Sequence, residues 1–403
     1  MKISAIIAEY NPIHNGHVYH INSTREQFNS DGIISVMSGN FMQRGEPSII
    51  DKWTRTKMAL LNGIDLIIEL PTIYAVSSAE FFAFGAVSLL NKLNVVDNLS
   101  FGSEDGNISA LQRLAKSLAE ETDYYKSSLK SYMNQGLPYF SARNKALSEL
   151  LNEDVNELLK PSNNILGIEY CKSILKLNSS INPITIKRTG DNYNDPNVES
   201  NFPSSTAIRN ILMANSNLDK LNGIIPKSAH SELLQMINNN YDFAFKEKMF
   251  QYIKYKSLSS PNNIENIPDA SEGLDNKIYS SIMLANNIDE LIFKIKSKRY
   301  SHTRISRILC QYFIGFENYN TRLLRNLPCP YARVLGFNDT GRKMLKLIKN
   351  NSDIPIFSKL PKKQLQNDCL KLDIQATNAY SIINKSVNPM ADYLTSPIYL
   401  KNS

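Results

Sequence analysis

Tyr10-Asn11-Pro12-Ile13-His14-Asn15-Gly16-His17 follows directly on the apolar run Ile3 to Ala8. The run reads as a buried strand, the next residues as a tight turn, and Gly16 to Gln27 as a helix. Two imidazoles and a glycine therefore stand at a helix N-terminus. Backbone N–H groups without intrahelical partners and the positive dipole end make that position suited to nucleotide phosphates. Gly16 lets a ligand approach the backbone, and each imidazole adds a donor aimed at a phosphate oxygen. Three of the chain's 5 histidines, His14, His17 and His20, fall in these first turns. A solvated turn is the plain alternative for His14 and His17, but the strand–turn–helix setting favours phosphate binding. His20 shares a face with His17 one turn on, and ligand contact and packing are equally open to it.

Outward from this segment, strand and helix alternate at βαβ spacing. Strands are expected at Ile3–Ala8, Gly32–Met37, Asp65–Glu69 and Leu99–Gly102, and helices at Trp53–Leu61 and Ser77–Leu90. Continuous apolar runs such as Leu66-Ile67-Ile68 mark strands covered on both faces, hence a parallel sheet in an α/β fold. Ligands of such sheets bind beyond the carboxyl ends of the strands, so the loops at Asn11-Pro12, Ser38-Gly39-Asn40, Pro71-Thr72 and Gly102-Ser103-Glu104 should share one site. Residues 107–160 read as a helical insertion. A second strand–loop–helix unit follows, with a strand at Ile181–Arg188 and Ser204-Ser205-Thr206 leading into a helix through Ile208, Arg209 and Leu212. The expected organisation is an α/β catalytic region over 1–215 and a mainly helical region over 216–403, its last 75 or so residues a small mixed subdomain.

The formal charge of +7 is unevenly spread. Residues 1–215 carry 19 Lys and Arg against 22 Asp and Glu, whereas 216–403 carry 26 against 16. A near-neutral catalytic part beside a basic part suggests a small anionic substrate in one and a polyanion in the other. Lys294, Lys296, Lys298, Arg299, Arg304 and Arg307 form the densest basic stretch, with no acidic residue between Leu291 and Phe316. RNA contact is expected there, and Tyr300, Tyr312 and Phe313 either stack on bases or pack. The four cysteines lack metal-ligand spacing and read as reduced thiols. The lack of a signal-peptide pattern and of an apolar run of about 18 residues points to a cytoplasmic protein with no membrane span. Nothing in the sequence calls for a metal ligand set or an obligate protein partner.

Two phosphate-binding helix starts, one with His14 and His17 and one with Ser204, Ser205 and Arg209, make a matched set. Arg188 and Arg209 add permanent charge on planar forks. Nucleotidyl transfer at the α-phosphorus needs such positioning and charge stabilisation rather than a covalent residue. The residues by themselves lead to adenylyl transfer on a Rossmann-like sheet.

The paired segments Asn11–His17 and Ser204-Ser205-Thr206-Ala207-Ile208-Arg209 resemble the signature of the nucleotidyltransferase superfamily, the HUP-type fold of nicotinate-nucleotide adenylyltransferase and, more remotely, class I aminoacyl-tRNA synthetases. A closer resemblance runs almost the whole length. The blocks Glu9–His20, Val36–Lys57, Asp65–Val76, Phe101–Glu104, Lys160–Tyr170 and Lys298–Arg304 resemble the tRNA(Met) cytidine acetate ligase family. That likeness implies attack of acetate on the α-phosphate of ATP, giving acetyl-adenylate and pyrophosphate, then acetyl transfer to the wobble cytidine of elongator tRNA(Met) as N4-acetylcytidine. It places the ATP site on Ile7-Ala8-Glu9-Tyr10 and onward through His20, and on Gly102, Asn163 or Asn164, and Arg188. The family's Lys-Pro-Asn-Asn block stands here as Lys160-Pro161-Ser162-Asn163-Asn164, and Asn164 is the favoured contact because it precedes Ile165-Leu166-Gly167.

Further residues are assigned by position alone. Ser38, Gly39, Gln43 and Arg44 face the site and are candidates for acetate or the α-phosphate. Lys52 is a candidate phosphate ligand, with loop bonding or capping equally open to it, Asp51 and Arg55. Glu9 is either structural or beside the nucleotide. Trp53 reads as a core anchor. Glu104 and Asp105 are not assigned to magnesium, which is expected to accompany ATP through phosphates and water. The runner-up function is a small-molecule adenylyltransferase of the nicotinate-nucleotide type, which leaves the basic region idle. A third is a non-catalytic RNA-binding protein, which has no need to keep His14, His17 and Arg209.

Overall fold

The computed structural model describes residues 1–188, 205–214, 218–260, 263–271, 273–297, 299–360 and 366–401. β1 (Ile3–Ala8), β2 (Gly32–Ser38), β3 (Leu66–Leu70), β4 (Asn98–Ser103) and β5 (Asn182–Lys187) run parallel in the order β5-β4-β1-β2-β3. The order reverses between β1 and β4, so their carboxyl ends open a crevice there.

Strand side chains alternate between two apolar layers, as a doubly covered sheet requires. Ile34, Val36, Leu66 and Ile68 pack with Phe82, Ala86 and Leu90 of the helix Ala79–Leu93. Ile33, Met37 and Ile67 face the opposite way, toward Ile21 of the helix Asn15–Gln27 and Met58 and Ala59 of the helix Lys52–Leu61. The expected insertion forms the helices Ile108–Glu120, Asp123–Asn134 and Tyr139–Leu151. The first of these buries Leu111, Leu114 and Leu118 in the same layer as Ile168 and Ile174 of the helix Ser162–Lys176.

The region after residue 216 is helical through most of its described residues up to Leu324, and then departs from the expected organisation. β6 (Ala332–Asn338) pairs antiparallel with β3, with a register shift between Ile67 and Ile68. β7 (Ile356–Phe357) and β8 (Ile398–Leu400) pair with the other edge of β6. The boundary at 215 therefore does not separate two bodies, because the end of the chain completes the sheet begun by its start. A short apolar run such as Ala332–Phe337 carries no mark of which distant strand it will join.

A charged cluster pins this seam. Lys52, almost wholly buried, donates to Glu69 on β3 at 2.7 Å and contacts Asp392 at 2.8 Å, while Arg333 on β6 reaches the same two carboxylates at 3.3 and 2.9 Å. Lys52 is thus not a phosphate ligand; its ammonium is committed to the core. Asp51 caps its helix by accepting from the Trp53 and Thr54 N–H groups, and Trp53 is a buried anchor. The four cysteines are buried and free. No helix among the described residues is long and apolar enough to cross a membrane.

Candidate active site

His14 caps the helix Asn15–Gln27. Its Nδ1 accepts the Gly16 N–H at 3.1 Å, and Nδ1 of His17 accepts the His14 N–H at 3.2 Å. This is a capping box closed by two imidazoles in place of the common hydroxyl and carboxylate. A ring nitrogen that accepts an N–H carries no proton, so each neutral ring holds its proton on Nε2 and offers it as a donor. The rings stack with centroids 3.8 Å apart, and Tyr10 meets His17 edge-on at 5.1 Å. Burial, then the charge of Arg188, pushes His14 down to about 3. Burial, then His14, Arg188 and His20, holds His17 well below the usual range. Both are neutral donors at pH 7.

These rings line a cleft of about 430 Å³ at the carboxyl ends of β1, β4 and β5. Ile7, Ala8, Glu9, Tyr10, Asn11, Gly16, His20, Gly102, Asn163, Arg188, Ser205 and Arg209 line it as well. Arg209 is oriented by donating to the Asn11 carbonyl at 3.2 Å and to Thr206 Oγ1 at 3.1 Å, and it faces Glu46 at 3.6 Å. That bond fastens the second helix start onto the first turn. His20 reaches the cleft wall, but its Nε2 is engaged with Ser100 Oγ at 3.0 Å and burial lowers it to about 4, so packing and contact coexist. A Cβ on Gly102 would press on Arg188 Cγ at 3.2 Å, so its lack of a side chain leaves Arg188 its place.

Several expected contacts lie elsewhere. Pro12 and Ile13 are buried beneath the turn, and Asn15 donates its side chain to the Gly223 carbonyl at 2.6 Å. The structure turns Asn163, and not the favoured Asn164, toward the cleft. Asn164 Oδ1 accepts the N–H groups of Glu104 at 3.0 Å and Asp105 at 3.3 Å, and that residue is buried, whereas Asn163 lines the cleft. The inserted Ser162 opens the helix Ser162–Lys176, and it is Asn163 that the first turn presents. Ser204 lies outside the described residues.

Arg55 was legible only as a helix-start cation. It is fully buried and donates to the carbonyls of Glu9 at 2.7 Å, Ser38 at 3.1 Å and Gly39, tying together the loops after β1 and β2. Gln43 and Arg44 reach the cleft, while Ser38 is buried. Glu9 accepts the Gln43 N–H at 2.6 Å, and burial raises its carboxyl. The apolar walls Phe82, Phe101, Leu166 and Tyr170 escaped sequence reasoning because a cleft wall and a core face share one pattern.

The acidic groups give little purchase for a protein-held magnesium. Glu104 accepts from Asn163 Nδ2 at 2.7 Å and from the Asn164 N–H at 3.0 Å. No cluster of three or more His, Cys, Asp or Glu among the described residues is placed to hold a metal.

The basic stretch divides. Lys294 lies 3.3 Å from Glu290, Lys296 and Arg299 are exposed, and Lys298 lies outside the described residues. Arg304 donates to the Asp269 carbonyl at 2.9 and 3.1 Å, so it is held by its own chain. Arg307 lines the cleft rather than the outer surface. Tyr300, Tyr312 and Phe313 are buried, so their rings pack and do not stack on bases. Phe293, 80% exposed immediately before Lys294, is the aromatic the sequence reading overlooked.

The parallel sheet with its switch point, and a cleft headed by His-Asn-Gly-His, define a nucleotidyltransferase fold. Residues 1–393 match the family model described as HIGH Nucleotidyl Transferase. The chain is 56% identical over 403 residues, all of both chains, to the tRNA(Met) cytidine acetate ligase of Clostridium novyi (strain NT). Two crystal structures of Thermotoga maritima TmcAL, apo and bound with alpha-thio ATP, superpose with TM-scores of 0.92 and 0.88 at 32% and 34% identity, each covering both chains fully. The chain belongs to the tRNA(Met) cytidine acetate ligase family.

Proposed function

We propose that this protein activates acetate with ATP as acetyl-adenylate and transfers the acetyl group to the wobble cytidine of elongator tRNA(Met). The observation that carries the reading is the pair of Nε2–H donors of His14 and His17 beside Arg188 and Arg209 in one cleft. The histidines donate to the phosphates, and the arginines balance the charge that builds as pyrophosphate departs. Magnesium, when present, comes with the nucleotide and neutralises phosphate oxygens, and the residues described here act on the remaining contacts. Asn163 reads the nucleoside, and the apolar walls Phe82, Phe101 and Tyr170 keep water from the mixed anhydride. The exposed cations Lys294, Lys296 and Arg299, together with Lys298 of the same stretch, grip tRNA phosphates in the cytoplasm, with Phe293 able to stack on a base.

Incubating the full chain with labelled acetate, ATP and unmodified tRNA(Met) tests this. Label recovered as N4-acetylcytidine at the wobble position is the expected result. Adenylylation of nicotinate mononucleotide without acetate transfer would overturn it.

A further inference from the structure

Arg307 is the one described member of the basic stretch that the fold turns into the nucleotide cleft. It lies on the helix His302–Ile314, four residues after Thr303, so the two side chains share a face, and both line the cleft. The neighbouring positive groups are already committed. Arg325 pairs with Asp269 Oδ1 at 2.8 Å, and Arg304 donates to the Asp269 carbonyl at 2.9 Å. The Arg307 guanidinium donates no hydrogen bond among the described residues, and its Nε is buried without an acceptor. Asp269, the carboxylate whose charge reaches this guanidinium, is itself paired with Arg325, and an Nε–H buried without an acceptor is costly unless one enters beside it.

Three anions compete for that place. A tRNA phosphate is bulky and strung on a backbone, and an enclosed fork at the wall of a cleft is poorly placed for it. The nucleotide phosphates already have His14, His17, Arg188 and Arg209, none of which belongs to this helix. Between them runs the loop Gln43–Glu46. It meets Arg209 through Glu46 at 3.6 Å and leans on the helix backbone at Gly45, where a Cβ would come within 2.4 Å of the main-chain nitrogen of Arg307. In transfer at the α-phosphorus the nucleophile enters opposite the departing pyrophosphate. Its seat therefore belongs on a wall that does not hold the phosphates, and a small carboxylate matches a planar guanidinium with a hydroxyl beside it.

We infer that Arg307, with Thr303 one turn before it, forms the binding seat for the carboxylate substrate. The inference rests on the acetate-activating reading above. With acetate held there, one carboxylate oxygen forms the bond to the α-phosphorus, the bond from the α-phosphorus to the bridging oxygen breaks, and pyrophosphate leaves with that electron pair. No proton has to move. Arg307 thus serves the first half-reaction, and its place in a basic sequence stretch does not make it an RNA contact.

Acetate-dependent exchange of pyrophosphate into ATP by the full chain, with tRNA binding measured separately, tests the seat. R307A is expected to raise the KM for acetate by about 10- to 100-fold, the worth of a charge-assisted hydrogen-bond pair. The KM for ATP and the affinity for tRNA stay essentially unchanged. R307K keeps the charge but loses the fork, and it falls nearer to R307A than to the unaltered chain; it also carries the test if thermal melting shows R307A unfolded. A raised KM for ATP, a loss of tRNA affinity, or no change in the KM for acetate would each overturn the seat. Absence of exchange in the unaltered chain would instead overturn the acetate-activating reading, and the seat with it.

Discussion

The backbone N–H of His14 donates to Nδ1 of His17 at 3.2 Å, so the helix start itself sets the orientation and the tautomer of the second imidazole. The donor that faces the cleft is in place before any substrate arrives, and binding need not pay to align it. His17→Ala should lower acetyl-adenylate formation by about 10²- to 10³-fold, the usual loss for one preorganised donor. Its tRNA affinity should stay near that of the unaltered chain. Equal losses in both measurements would contradict the division of labour.

Burial at His14 couples stability to pH. Its pKa falls from 6.5 to about 3 on folding, so the unfolded chain takes up a proton in that window and the native chain does not. Stability is full above the upper value and drops as pH falls below it, by about 1.4 kcal/mol per pH unit for this residue. Asp373 acts in the opposite sense. Burial and nearby Glu69 push it up to about 7, so its contribution is complete at low pH and is lost as pH rises through that value. Urea unfolding at pH 5 and pH 7 checks both. His14→Asn, which keeps a good cap, should flatten the loss toward acid, whereas Asp373→Asn should steepen it.

Adjacent asparagines should behave differently. Asn163→Ala is expected to weaken ATP binding about tenfold, the worth of one or two hydrogen bonds, with little change in melting temperature. Asn164→Ala removes the acceptor of two backbone N–H groups and should cost about 1–3 kcal/mol of stability. Isothermal titration with ATP, set beside thermal melts, separates the two, and reversed results would restore Asn164 as the contact.

Lys52→Met would leave Glu69 and Asp392 with Arg333 as their cationic contact. Breaking a buried ion network on one side costs about 3–5 kcal/mol. The variant should unfold at markedly lower urea while nucleotide affinity at low temperature survives. A selective loss of ATP binding would mean the ammonium serves phosphate after all.

Neutralising Lys296, Lys298 and Arg299 together should weaken tRNA binding and reduce the dependence of log K on log salt by about 0.7–0.9 for each phosphate that is no longer neutralised. Binding measured from low to moderate salt provides the slope. An unchanged slope would place the RNA on another face.

The sheet and the cleft were legible because they rest on local patterns. The run Ile3–Ala8, the turn at Asn11-Pro12 and the glycine at 16 each carry a meaning within a few residues. What escaped was contact at a distance. Nothing near Lys52 announces Asp392, and nothing near Arg307 says that its helix faces the cleft while Arg304, three residues earlier, is held by Asp269. Charge counts found the basic stretch but not its division into exposed and inward-facing members. Which of Asn163 and Asn164 lines the cleft turns on where a helix begins, a matter of one residue that composition does not decide.

The antiparallel seam between β3 and β6 has a further consequence. Severed after residue 215, the amino-terminal piece would keep five strands yet bare the edge Leu66–Leu70, an apolar ribbon open to pairing with any passing strand. In the whole chain the far margin is blunted by strands of only 2 and 3 residues. The parts proposed for adenylate chemistry and for RNA handling are therefore inseparable cargo, and a fragment carrying only the first would be expected to clump before it could turn over.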